Sequence, residues 1–181
     1  MKQFIQNFFN NQNPQIDLIT LRTNQTKLLR RAGLKYKHVN GRVPFLYDGT
    51  RLLINKQAKS EAKNVYMHEL AHYQLASADR KHLPNYGLGG SYISEQFFAE
   101  RAISKKEAAK EEEMASALGL YFFFLCGACD KMVMKVASEE GWRFSGSMYN
   151  TNAEKRKFTR ILTKLQKDGY LDNNGQPTFK A

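Results

Sequence analysis

Cysteine, proline and tryptophan are scarce in this chain of 181 residues, which contains two, four and one of them. Two cysteines cannot build the disulfide framework of a small secreted domain. The first fifteen residues lack the apolar segment of a signal peptide, and no apolar run has the length of a transmembrane helix. The longest run, 114–128, is interrupted by Ser116 and two glycines and is typical of a buried helix. We therefore expect a soluble, cytoplasmic protein without a membrane partner.

Acidic residues are also few: the chain has 17 of them and 28 lysines and arginines, which gives a net charge of +11. This excess favours an acidic partner, either nucleic acid, the ribosome or an acidic protein. The alternative is a solvated basic surface that keeps the protein in solution. Basic residues cluster in two segments, Lys27, Arg30, Arg31, Lys35, Lys37, Arg42 and Lys155, Arg156, Lys157, Arg160, Lys164, Lys167.

The apolar pattern predicts a single domain, residues 1–181, of the α+β class. Hydrophobic residues make up 42% of the chain, enough for one core. We predict a small antiparallel sheet in the N-terminal third, with a hairpin at Asp48-Gly49, followed by a helical body. The predicted strands are Ile16–Thr23, Lys27–Arg30, Val43–Tyr47 and Arg51–Ile54. The predicted helices are Gln3–Asn10, Glu61 to about Ala76 with Ser60 as its cap, Lys105–Phe124, Lys131–Glu139 and Asn152–Lys167.

The segment YMHELAHYQLAS contains the clearest chemical signal. His68 and His72 are four residues apart on a predicted helix, so both imidazoles face the same side and can bind one metal ion. Glu69 lies beside them without having to be a ligand. The longer metzincin pattern is excluded, because Leu75 and Ala78 stand where it needs a glycine and a third histidine. A third ligand must therefore come from another part of the chain.

The predicted helix Lys105–Phe124 offers three adjacent carboxylates, Glu111, Glu112 and Glu113. Each would also be expected in a solvated acidic stretch near the start of a helix. The residues that share a face with Glu112 are all small, which would let a second helix approach closely: Ala108, Ala115, Ser116 and Gly119. The residues alone leave the choice among the three glutamates open.

Two histidines and one glutamate fit two kinds of chemistry. With zinc, the metal activates water and Glu69 is the general base of a gluzincin-type peptidase. With ferrous iron, the same ligands leave open positions for dioxygen. A third hypothesis is a basic module that binds RNA or the ribosome without catalysis. Motif statistics alone favour the peptidase.

The stretch MHELAHYQLASADRKHLPNYGLG resembles the HExxH segment and following loop of the elongation factor P hydroxylases, a family of small bacterial proteins. The segment TKLLRRAG and the later PFLYDGTRLLI are similar to the family's strands before the motif. This family hydroxylates the modified lysine of elongation factor P. The resemblance implies an iron-dependent monooxygenase with a zincin-like HExxH helix, with Glu112 as third ligand and elongation factor P as acidic partner. Tyr73 stands where the family has tryptophan, and Asn85-Tyr86-Gly87 where it has Asp-Phe-Gly.

The remaining candidates carry weaker signals. Cys126 and Cys129 form a CxxC pair, but they follow a predicted helix rather than a strand, so we expect core cysteines and not a redox pair. His82 and the neighbours of the motif helix, Arg80 and Tyr86, have three possible roles: orienting substrate, packing, or lying on the surface. His38 shows no catalytic signal.

Overall fold

The computed structural model describes residues 2–10, 13–40, 45–57, 66–91, 98–139 and 152–179. They form an α+β fold in which a three-stranded sheet precedes a helical body. The predicted fold class is therefore confirmed. The elements, in chain order, are α1 (Gln3–Phe9), α2 (Leu18–Arg31), β1 (Tyr36–Val39), β2 (Phe45–Tyr47), β3 (Leu52–Asn55), α3 (Tyr66–Leu75), a 3₁₀ turn (Pro84–Gly87), β4 (Leu88–Ser91), β5 (Phe98–Arg101), α4 (Lys105–Leu125), α5 (Asp130–Glu139) and α6 (Asn152–Lys167).

The two strands predicted at Ile16–Thr23 and Lys27–Arg30 are wrong, because most of this region is the single helix α2. Asp17 caps the helix, and its carboxylate accepts hydrogen bonds from the backbone N–H groups of Ile19 and Thr20 at 2.8 and 2.9 Å. The buried side chains recur at helical spacing and include one polar residue: Leu21, Gln25 and Leu29. That polar residue interrupts the apolar stripe by which the helix would otherwise be recognised.

The sheet has the order β1-β3-β2, with β2 antiparallel and β1 parallel to β3. The prediction of an antiparallel sheet is therefore right for one of its two ladders and wrong for the other, and β1 was not predicted. The hairpin at Asp48-Gly49 is confirmed, although four residues, 48–51, separate the paired Tyr47 and Leu52. The Asp48 carboxylate closes this turn by accepting from the N–H groups of Thr50 and Arg51.

The helical body follows the predicted pattern closely. Helices α1, α4, α5 and α6 lie within a residue or two of their predicted bounds. A capping box of Ser104 and Glu107 begins α4. Helix α3 is described from Tyr66 onward, so the predicted start at Glu61 and the Ser60 cap lie outside the described residues. The antiparallel pairing of β4 with β5 was not predicted.

The core is centred on the contact between α3 and α4. Met67, Leu70 and Ala71 of α3 and Leu118 and Phe122 of α4 are all buried in one cluster. Eight of the ten residues of α3 are buried, so this helix is enclosed on most sides. Among the helices of the described residues, none is both long and apolar enough to cross a membrane.

Candidate metal centre

Helix α3 presents the two histidines of the motif side by side. The Nε2 atoms of His68 and His72 are 3.0 Å apart, and the two residues are 7% and 2% exposed. This is the arrangement that the i, i+4 spacing predicts for residues on one helical face. Both imidazoles therefore point one nitrogen each at the same small region between α3 and α4.

Helix α4 supplies the third side chain, Glu112, whose Oε2 atom lies 3.4 Å from the Nε2 atoms of both His68 and His72. Within the described part of the chain, this buried oxygen has no hydrogen-bond partner. A buried oxygen left in that condition is destabilising unless another group, such as a metal ion, satisfies it. Residues His68, His72 and Glu112 together could hold a metal ion.

The size of this site fits a first-row metal. A triangle with sides of 3.0, 3.4 and 3.4 Å has a circumscribed radius of about 1.9 Å, just below the metal–nitrogen and metal–oxygen distances of roughly 2.0–2.2 Å. One ion can therefore contact all three atoms from one side of the triangle. The donor set of two imidazoles and a carboxylate suits zinc and ferrous iron equally.

Close approach of the two helices brings the carboxylate to the histidines. A Cβ atom at Gly119 would lie 2.9 Å from both the Cα and the N of His68, closer than such atoms pack. Ala115 and Ser116, on the same side of α4, are buried. The small-residue face predicted for Glu112 is thus the face on which α3 and α4 meet.

The neighbouring glutamates have different partners. The Glu111 Oε1 atom lies 3.6 Å from His72 Nδ1, the nitrogen that faces away from Glu112. Glu113 is partly exposed and pairs with Lys157 of α6. Glu112 is therefore the glutamate that completes the triangle, and Glu111 contacts the outer side of a histidine ring.

A buried arginine holds Glu111 in place. Arg80 Nη2 lies 2.5 Å from Glu111 Oε2, and both side chains are 8% exposed. Sequence reasoning gave Arg80 no definite role and treated Glu111 as an alternative ligand. The two residues are 31 positions apart, so the sequence pattern contained no signal that would pair them.

The carboxylates control the charge of the site. Burial alone would raise the pKa of Glu112, but the imidazoles of His68 and His72, each 3.4 Å from its carboxylate, outweigh burial and hold that pKa well below its usual range. Burial would likewise lower the pKa of His72, but Glu111, Glu112 and Glu69 raise it to about 9. A metal ion that binds to the three side chains must therefore displace the proton of His72.

Glu69 follows His68 directly on α3 and is partly exposed. Burial is the main cause that raises the pKa of its carboxyl. Glu112 raises this pKa further, whereas the two histidines and the nearby Tyr86 hydroxyl lower it. A carboxyl with a raised pKa, next to the two histidines, is suited to accept or donate a proton at this site.

Tyr86 is fully buried against the centre and was only weakly indicated by the sequence. Its ring lies 5.7 Å from that of His72 at 21°, and 4.2 Å from that of Tyr47 at 9°. Its hydroxyl donates to the backbone carbonyl of Glu69 at 2.9 Å. Asn85, Tyr86 and Gly87 all have positive φ, at 48°, 56° and 68°, and non-glycine residues adopt this conformation only at a cost.

The other candidate residues lie away from the triangle. His82 is exposed, and its backbone carbonyl would be 2.5 Å from a Cβ at Gly49, so the β2–β3 turn packs on this loop. His38 is exposed on β1. Cys126 and Cys129 are free thiols, and Cys126 is buried next to Met67, in agreement with the expected packing role of the buried cysteine.

Comparisons of the chain with protein-family models, with curated proteins and with solved structures found no match. The resemblance to the elongation factor P hydroxylases therefore rests on the residues alone and stays a prediction.

Proposed function

We propose that this protein is an iron-dependent monooxygenase that hydroxylates a lysine of an acidic protein, with elongation factor P as its substrate. The observation that carries the proposal is the position of Glu112 Oε2, 3.4 Å from the Nε2 atoms of His68 and His72. Two histidines and one carboxylate on one side of an ion are the ligands of non-haem ferrous oxygenases, whose iron activates dioxygen at its remaining positions. The sequence resemblance supports the same function.

The residues of the chain have separate roles in this proposal. His68 and His72 bind the ion through Nε2, and Glu112 contributes the negative charge. Glu111 faces Nδ1 of His72 and favours the tautomer that carries a proton there, which leaves Nε2 free to bind. Glu69 is partly exposed beside the ligands, where its carboxyl can pair with the amino group of an incoming lysine or accept a proton from it.

A basic surface supports an acidic partner. Four cationic residues of α6 are exposed and lie on one side of the helix, opposite its buried residues Phe158, Leu162 and Leu165: Arg156, Arg160, Lys164 and Lys167. Their spacing of three or four residues makes one stripe. Such a stripe attracts an acidic protein and accelerates its association.

A second candidate function is a zinc metallopeptidase with the same three ligands. The observation in its favour is Glu69, which lies next to His68 on α3 and whose pKa is raised by burial. A carboxylate in this position can accept the proton of a water molecule that attacks a peptide bond. The third hypothesis, a basic module without catalysis, gains no support from Glu69, since a structural metal site does not need it.

The identity of the bound metal distinguishes these candidate functions. The protein should be purified without added metal and without air, and its metal content measured by elemental mass spectrometry beside the variants His72→Ala and Glu112→Gln. Glu113→Gln is the matched control, because it removes a carboxylate of α4 that pairs with Lys157 and not with the histidines. About one iron per chain, lost in both site variants and kept in the control, is the expected result.

The reaction is tested by supplying ¹⁸O₂ and modified elongation factor P to the iron-loaded protein. One ¹⁸O atom should appear on the modified lysine, and Glu112→Gln should abolish the signal. About one zinc per chain, with cleavage of a protein substrate that Glu69→Gln abolishes, would instead establish the peptidase. Absence of any metal, with salt-dependent RNA binding that survives loss of both histidines, would leave the basic module.

A further inference from the structure

We propose that Arg80 and Glu111 are positioning residues that hold the His72 ring for the metal and couple the loop 77–87 to the metal centre. This inference rests on the metal-binding part of the proposed function and not on the identity of the substrate. It is based on four residues that contact one another in a closed ring: His72, Glu111, Arg80 and Tyr86.

The first contact is between Glu111 and the outer nitrogen of His72. The Oε1 atom lies 3.6 Å from Nδ1, and both side chains are nearly inaccessible to solvent. This is slightly longer than a hydrogen bond, so a small rotation of either side chain would close it. A carboxylate behind a metal-binding histidine fixes the orientation of the ring and makes it a stronger ligand.

The second contact makes the first one possible. A carboxylate buried without a cationic partner is destabilising, because nothing compensates its charge. Arg80 pairs with Glu111 through Nη2 at 2.5 Å and through Nη1 at 3.5 Å, in the two-pronged geometry that only arginine offers. Arg80 therefore fixes where the Glu111 carboxylate lies.

The third contact joins the pair to the loop. Arg80 Nη1 also donates to the backbone carbonyl of Tyr86 at 3.0 Å. That residue is one of three in succession with positive φ, a conformation that persists only where surrounding contacts impose it. Arg80 supplies one of these contacts, at the place where the chain turns toward the metal centre.

The fourth contact closes the ring. The Tyr86 side chain packs on His72, and its hydroxyl donates to the carbonyl of Glu69. The loop therefore reaches α3 by two routes, through the ring of Tyr86 and through Arg80 and Glu111. Moving the loop would move both supports of the His72 ring, so the affinity for metal and the conformation of the loop should change together.

A buried ion pair that only stabilised the fold would make the same contacts, so the experiment must measure metal binding. We would titrate the anaerobic metal-free protein with Co²⁺ and follow its visible d–d absorption, which reports ligand geometry directly. The variants are Glu111→Gln, Arg80→Met and their combination. Glu113→Gln is the matched control, because it breaks the other ion pair of the same helical turn, with Lys157, without touching a histidine.

Glu111→Gln and Arg80→Met should each weaken Co²⁺ binding by about 10- to 100-fold and alter the absorption spectrum. The double variant should have the same Co²⁺ affinity as whichever single variant has the lower affinity, because the two residues act through one contact. Glu113→Gln should bind as the wild type does. Arg80→Lys keeps the positive charge but cannot contact Glu111 through two nitrogens, so its Co²⁺ affinity should be intermediate. This variant provides the comparison if Arg80→Met does not fold.

Hydrogen exchange gives an independent measurement. Metal should protect the backbone amides of residues 80–87 in the wild type, and Glu111→Gln should lose most of that protection. The inference is overturned if Glu111→Gln and Arg80→Lys bind Co²⁺ within twofold of the wild type with an unchanged spectrum. If the wild type itself binds no Co²⁺, the metal centre is wrong and this inference falls with it. If metal binds and the variants behave as expected but no oxygen is transferred, only the proposed reaction fails.

Discussion

Gly119 of α4 lies so close to the backbone of His68 on α3 that an added methyl group would be 2.9 Å from its Cα. This contact sets the separation of the two helices that carry the ligands. Because the carboxylate of Glu112 is two turns of helix away from Gly119 on the same face, the helix separation also sets the distance from Glu112 to both histidines.

Replacing Gly119 with alanine should weaken metal binding and stability together. Alanine favours the helix by about 1 kcal/mol, but the enforced separation of two packed backbones should cost roughly 1–3 kcal/mol. We expect a lower midpoint of denaturant unfolding and a loss of metal affinity of about tenfold. Gly33→Ala is the control: Gly33 has a φ of 73° and open space around it, so its replacement should affect stability alone. Equal metal affinity in both variants would contradict the role assigned to Gly119.

The hydroxyl and the ring of Tyr86 should make separate, measurable contributions to the free energy of unfolding. Tyr86→Phe removes the hydrogen bond to the Glu69 carbonyl and should lower the free energy of unfolding by about 0.5–1.5 kcal/mol. Tyr86→Ala also removes the ring between Tyr47 and His72 and should cost about 3–5 kcal/mol. Urea unfolding of the metal-free proteins measures both values. A larger effect for the phenylalanine variant would mean that the stack contributes little.

The two cysteines should differ in reactivity. Burial raises the pKa of the Cys126 thiol to about 12, so at pH 8 only about one molecule in ten thousand carries the thiolate there. Cys129 is partly accessible. Ellman's reagent should therefore label one thiol rapidly in the native protein and two after denaturation, and Cys129→Ser should abolish the rapid phase. Rapid labelling of both thiols would contradict the packing role of Cys126.

The exposed stripe of α6 should bind the proposed acidic partner. Changing Arg156, Arg160, Lys164 and Lys167 to glutamine should weaken binding of elongation factor P by roughly tenfold at low ionic strength and much less at high salt. Metal content should not change. The charge-matched control removes four exposed basic residues from the N-terminal segment: Lys27, Arg30, Lys35 and Lys37. A larger loss in the control would place the partner on that segment instead.

Local patterns were sufficient for the parts of the fold on which the site is built. His68 and His72 follow from their spacing, and the small residues around Gly119 indicate the face of α4 that packs on α3. The apolar pattern wrongly predicted strands in place of α2, because buried Gln25 interrupts the apolar stripe and the β-branched residues are typical of a strand. It also failed to predict β1, whose parallel pairing with β3 is a contact between segments distant in sequence.

The surroundings of the ligands depend on contacts that no local pattern contains. Glu111 looks like any glutamate of a solvated helix start until Arg80 is found opposite it. Tyr47 has no chemical signal of its own and becomes part of the site only because β2 places it on Tyr86. Composition and spacing identify ligands well, because metal binding restricts residue type, whereas the supporting residues are restricted mainly by shape.

Eight of the ten residues of α3 are buried, and the helix supplies both imidazoles from within the core. Such a helix cannot unwind on its own, so its amides should exchange with solvent only when the whole protein unfolds. The two imidazoles therefore keep their positions relative to each other before an ion binds. Metal binding should need little rearrangement of α3, and titration of the folded protein should report the affinity of an already formed pair of ligands.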